Sequence, residues 1–123
     1  MPFSVLIVDD DPAVVWILAL LVEGEADLSL AGTTTDGGQA VACVGQGCPD
    51  AIICDQRMPH LTGLEALPQL RRACPGSVIV LNTSDTEITP QALRLGADAV
   101  WDKTDPPDQL IRLVRTLCQQ KSE

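Results

Sequence analysis

An α/β fold, a doubly wound (βα)5 sandwich around a five-stranded parallel sheet, is what this sequence predicts, on three observations. Continuous apolar runs of four or five residues recur along the chain, as strands buried on both faces do. A helical pattern follows each run, with Gly, Pro and Asp punctuating the joints. All 123 residues fit one domain, 1–123, long enough to close a single core and leaving no room for a second module.

Taken in order, strands are expected at 4–8, 27–31, 51–54, 78–81 and 98–101, where the apolar runs lie. Helices are expected at 12–23, 37–46, 63–73, 90–95 and 107–119. Pro12 suits the first turn of the first helix, and Asp11 before it suits a cap. Pro68 lies inside the third helical pattern and should kink it or delay its regular start. Pro90 after Thr89 starts the fourth helix late, so it runs barely two turns before Gly96, and 83–89 reads as loop.

Eight basic against 17 acidic residues give a net charge of −9, which argues against direct nucleic-acid binding and for a cation or a basic partner. Residues 1–8 lack a signal-peptide layout, and the apolar run at 13–22 is too short to span a bilayer, so no membrane association is expected. Cys43, Cys48, Cys54, Cys74 and Cys118 are odd in number, scattered, and show no C-x-x-C spacing. They read as reduced structural cysteines of a cytoplasmic protein.

In a right-handed βα alternation the C-terminal ends of all strands share one edge, which is where such sheets do their chemistry. Asp9, Asp10, Asp55, the 82–84 segment and Lys103 converge there. Clustered carboxylates raise one another's proton affinity and are relieved by a hard divalent cation, with Mg²⁺ the common cellular choice. A carboxylate beside Mg²⁺ can attack a phosphoryl group, and Lys103 supplies further positive charge. The Asp triplet alone would equally serve as a helix N-terminus.

Val-Asp-Asp at 8–10, Asp-x-x-Met-Pro-x-x-x-Gly from Asp55 to Gly63, and Gly-Ala-Asp at 96–98 followed by Lys103 together resemble the receiver domain of two-component response regulators, over nearly the whole chain. The resemblance implies a flavodoxin-like sheet in the order 2-1-3-4-5. It implies phosphorylation of Asp55 by a histidine kinase or a phosphotransfer protein, followed by a conformational switch that alters partner binding. It implies Mg²⁺ at Asp9, Asp10, Asp55 and the Arg57 backbone carbonyl, with Asp10 the direct ligand and Asp9 acting through water. Lys103 matches the lysine that contacts the phosphoryl oxygens, while Pro59 and Gly63 shape the loop after the acceptor. A signalling module is implied, with no enzyme activity beyond self-directed phosphotransfer and autodephosphorylation; a homodimer is compatible with it. Output would pass through partner binding or a segment outside this sequence.

Three departures from the family pattern stand out. Where it places Thr or Ser after the fourth strand, this chain has Asn82 with Thr83 behind it, and either could fill the position. An amide can still donate a hydrogen bond to a phosphoryl oxygen, though it is bulkier than a hydroxyl. Val100 stands where an aromatic residue is usual, and Trp101, one residue later, should point to the other side of its strand. Thr104 replaces the proline that often follows the lysine, which leaves a cis peptide there open.

On a helical wheel Val14, Ile17, Leu18, Leu21 and Val22 form the core stripe of the first helix, leaving Val15, Trp16, Ala19 and Leu20 outward. That greasy outer face reads as a docking patch, and the resemblance implies that the kinase or phosphotransfer protein docks there. His60 reads as a solvent-exposed loop residue. Competing readings are a receiver-like module that binds partners independently of phosphorylation, and a haloacid-dehalogenase-like phosphatase using Asp9-x-Asp11. The phosphatase reading leaves Asp55 without a role. A flavodoxin is poorer still, since no Ser/Thr-rich phosphate loop follows the first strand.

Overall fold

The computed structural model describes residues 2–123. Five parallel strands, β1 (Phe3–Val8), β2 (Leu28–Thr34), β3 (Ala51–Asp55), β4 (Val78–Thr83) and β5 (Ala99–Asp102), form one sheet in the order β2-β1-β3-β4-β5. Helices α1 (Pro12–Glu23), α2 (Gly37–Val44), α3 (Gly63–Ala73), α4 (Thr89–Leu95) and α5 (Pro107–Lys121) alternate with them, and a 3₁₀ turn (Thr86–Ile88) precedes α4. The doubly wound fold and its strand order are those expected from the sequence.

Strand alternation divides the core in two. Leu6, Val8, Ile52, Cys54, Ile79 and Leu81 pack with Ala40, Val44, Leu67, Leu70 and Ala92 from α2, α3 and α4. Val5, Ile7, Ile53, Val78 and Val80 pack on the other face with Leu18, Val22, Leu110 and Val114 from α1 and α5. The three central strands are apolar on both faces because both are covered, so no alternation shows in their sequence.

Local chemistry accounts for the element ends. Asp11 caps α1 by accepting from the Ala13 N–H at 2.9 Å, and Thr62 and Glu65 form a reciprocal capping box at the start of α3. That box starts α3 at Gly63 and carries it through Pro68 without delay. Gly96 closes α4 at φ 119°, in the left-handed region a side chain avoids. Two strands outrun their apolar runs by more than one residue: β2 extends to Thr34 by pairing along all of β1, past an irregularity between Val5 and Leu6. Strand β4 extends through Asn82 and Thr83, pairing with Asp55 and Asp102 across its neighbours. All peptide bonds of the described residues, including Lys103–Thr104, are trans.

The cysteines depart from expectation. Cys48 and Cys74 are joined by a disulfide, with Cα atoms 5.7 Å apart, while Cys43, Cys54 and Cys118 are free. The topology explains the pairing: Cys48 precedes β3 and Cys74 follows α3, so both reach the N-terminal edge of adjacent strands despite a separation of 26. Around them that edge is densely tied. Arg71 donates to the carbonyls of Cys74, Pro75, Ser77 and Gly96 and pairs with Asp98 at 2.8 Å. Lys121 reaches Asp98 at 3.2 Å.

Candidate functional site

The opposite, C-terminal edge gathers the acids. Asp9 follows β1 and is held by its own N–H donating to the Thr34 carbonyl, and its Oδ1 accepts from the Asp11 N–H. Asp55 ends β3, one of five consecutive buried residues. Carboxylate oxygens of Asp9, Asp10 and Asp55 lie within 4.8 Å of one another. Asp9 and Asp55 are 2% and 5% exposed, whereas Asp10 is exposed and keeps the cluster open to solvent.

Lys103 spans this cluster. Its backbone N–H donates to the Thr83 carbonyl at 3.0 Å, which fixes the turn after β5. Its Nζ then lies 2.9 Å from Asp9 Oδ2 and 3.1 Å from Asp55 Oδ1. Burial and the Asp9 charge raise the Asp55 proton affinity, and Lys103 only partly offsets them, so Asp55 stays above the usual carboxylate range. Burial works against the charge of Lys103, but its contacts with Asp9 and Asp55 prevail and hold it above the ordinary lysine range. Beneath them Cys54 is pushed up to about 12 by burial, then by Asp55 and Asp9, which makes it an inert thiol.

The loop after Asp55 is fastened by Gln56, which sequence reasoning did not single out, together with Gly63, which it did. Gln56 accepts from the Gly63 N–H through its carbonyl and from the Leu64 N–H through its side chain. A Cβ on Gly63 would lie 2.5 Å from the Asp55 carbonyl oxygen and 2.6 Å from Leu81 Cδ1, so only glycine permits this approach. Arg57 lies in that loop, and its carbonyl accepts no hydrogen bond among the described residues. His60 is exposed, at φ 70°.

Asn82 and Thr83 part company here. Asn82 pairs in register with Asp55, shares its face, and is 4% exposed, with its Oδ1 unpartnered. Alternation turns Thr83 to the other face, where its hydroxyl accepts from the Asp85 N–H. Val100 packs on the α2–α4 side and Trp101 on the α1–α5 side. On α1, Trp16 and Leu20 are 66% and 54% exposed, while Val15 and Ala19 are half-buried against the core rather than fully outward. Asp9, Asp10, Val15, Trp16, Ala19 and Thr34 line one open depression of about 390 Å³, so the apolar face adjoins the acids.

The donor set suits a hard divalent cation: three convergent carboxylates, one of them open to water, and a free backbone carbonyl in the adjoining loop. No helix of the described residues is long and apolar enough to cross a membrane.

A family model described as response regulator receiver domain matches residues 5–115. A protein-glutamate methylesterase/protein-glutamine glutaminase of Maricaulis maris is 38% identical over 76% of the chain and 24% of its own length. An uncharacterized transcriptional regulatory protein of Bacillus subtilis is 31% identical over 90% of the chain and 52% of its own length. The chain thus spans between a quarter and about half of these curated relatives. The response regulator domain of Thermotoga maritima CheB superposes with a TM-score of 0.89 at 28% identity, covering 97% of this chain and 98% of that one.

Proposed function

The chain belongs to the response regulator receiver family of two-component signalling, and on that premise we propose that it is a phosphoacceptor switch in which Asp55 takes a phosphoryl group from a phosphohistidine. The observation that carries the reading is the lysine clamp: Lys103 Nζ bridges Asp9 and Asp55 inside an acid cluster that includes Asp10. An Asp55 oxygen forms the new bond to phosphorus as the bond from phosphorus to the donor imidazole nitrogen breaks. The carboxylate must be ionised for this, and Lys103 favours that form.

Asp9, Asp10, Asp55 and the Arg57 carbonyl would hold Mg²⁺, which when bound neutralises charge on the nucleophile and on the transferred group. Lys103, 3.1 Å from Asp55 Oδ1, would follow the phosphoryl oxygens, and Asn82, in register with Asp55, would donate from Nδ2. Thr83 is the weaker candidate because its hydroxyl faces away and is engaged with Asp85. The donor protein, a histidine kinase or phosphotransfer protein of the cytoplasm, would dock on Trp16 and Leu20, with Val15 and Ala19 forming the floor.

Intact-mass measurement after incubation with acetyl phosphate and Mg²⁺ tests this. The wild type gains one phosphate and Asp55→Asn gains none. A wild type that gains no phosphate, yet still binds partners through α1, would replace the switch by a phosphorylation-independent binding module.

A further inference from the structure

Asn82 lies in register between two residues: Asp55 on β3 and Trp101 on β5. All three therefore share one face of the sheet. Asn82 Oδ1 and Trp101 Nε1 are both buried and neither has a partner. One is an acceptor and the other a donor, so the two orphans are complementary. Both residues line a cavity of about 110 Å³, together with Lys103, Leu18 of α1 and Leu110 of α5. That space exceeds what one water needs and lets an indole or an amide shift.

A carboxamide offers one acceptor and one donor group, so an Oδ1 that serves Trp101 Nε1–H leaves Nδ2 as the donor for the Asp55 side. Val100, packed on the opposite face, carries no polar atom that could take part.

We propose that Asn82 and Trp101 carry the state of Asp55 to the α1–α5 face of the domain. The proposal rests on the phosphoacceptor reading above. A phosphoryl group on Asp55 accepts a hydrogen bond from Asn82 Nδ2, which fixes the carboxamide; Oδ1 then accepts from Trp101 Nε1–H, and the indole moves within the cavity between α1 and α5. Trp101 is a positioning residue, since it acts on the phosphoryl group only through Asn82.

The indole N–H reports this directly by ¹⁵N-resolved NMR, because the chain has only two tryptophans and Trp101→Phe identifies the Trp101 signal. Intact mass is read on the same samples. The expected result is that acetyl phosphate with Mg²⁺ shifts the Trp101 indole proton downfield and slows its solvent exchange about fivefold, the effect of one added hydrogen bond. In Asn82→Ala the shift per phosphorylated molecule, with occupancy read from intact mass, is absent. In Trp101→Phe, which keeps an aromatic ring and loses the donor, the phosphoryl lifetime shortens about fivefold. A phosphorylated wild type with an unmoved Trp101 signal overturns this coupling and leaves the phosphoacceptor reading standing. An equal shift in Asn82→Ala, or an unchanged lifetime in Trp101→Phe, also overturns it. No phosphate on Asp55 overturns both readings together.

Discussion

Replacing Asp55 by Asn should stabilise the protein when divalent cations are chelated, because the site is built against its own charge. Burial and Asp9 hold the Asp55 proton affinity above its value of 3.8 in the unfolded chain, despite Lys103 at 3.1 Å. For an acid perturbed in this direction, folding stability is complete below the unfolded value and is lost as pH rises through the folded one. At neutral pH the whole loss is present, and an uncharged amide removes it. The size of the gain reports how far the site raises that affinity, at about 1.4 kcal/mol for each tenfold. The lost contact with Lys103 is already contained in that net effect, and the lysine keeps Asp9 at 2.9 Å. In a domain of this size each 1 kcal/mol of gain appears as roughly 3–6 °C in Tm. The assay is urea unfolding of wild type and Asp55→Asn in EDTA, at neutral pH and near pH 3.5, where the difference should vanish. Adding Mg²⁺ at a hundredfold excess over its Kd should stabilise the wild type by about 2.7 kcal/mol and the variant by less, narrowing or reversing the order. Destabilisation by Asn in EDTA at neutral pH would show that Lys103 outweighs burial and repulsion, and would refute the reasoning.

Four further outcomes are expected. Phosphorylation by acetyl phosphate should slow on acidification, because only ionised Asp55 attacks; a rate that stays flat on acidification would contradict this. Gly63→Ala should cost at least about 2 kcal/mol in urea unfolding and slow phosphorylation, since its Cβ meets the Asp55 carbonyl and Leu81. Reducing Cys48–Cys74 removes a cross-link over 26 residues and should lower stability by about 3.5 kcal/mol from chain entropy alone, read as the shift in urea midpoint with and without dithiothreitol. Trp16→Ser should leave stability within about 0.5 kcal/mol but weaken phosphotransfer from a donor protein at least tenfold, as loss of an aromatic anchor does.

The sheet and the acid cluster were legible because both are written in local pattern. Unbroken apolar runs name buried parallel strands, and an acid at the end of a run names the edge it reaches. The Asn82 or Thr83 choice could not be read from one chain, because it depends on how far β4 extends past its apolar run. Pairing of Asn82 with Asp55 and Trp101 decides which side chain faces the acids. Cys48–Cys74 and the ties of Arg71 to Gly96 and Asp98 were illegible for a different reason. They join residues 25 to 27 apart, and only the packing of adjacent βα units brings those together. Pro68 does not delay α3, since the capping box of Thr62 and Glu65 fixes the helix start before the proline is reached.

These differences divide the molecule into two unlike edges. At the N-terminal edge polar groups are consumed: Arg71 and Lys121 meet Asp98 and the surrounding carbonyls, Ser77 donates to Pro49, Asp50 accepts from Ser4, and a disulfide spans the gap. At the C-terminal edge they are left wanting, with Asp55 charged against its surroundings and Thr34, Asn82 and Trp101 each holding an orphaned atom. The remaining orphan, Arg115 Nε, still lies 2.8 Å from an Asp27 oxygen and belongs to neither pattern. A ligand shifts a conformational equilibrium only by its differential interaction with the two states. The unmet groups at the C-terminal edge are where a phosphoryl group has most to satisfy.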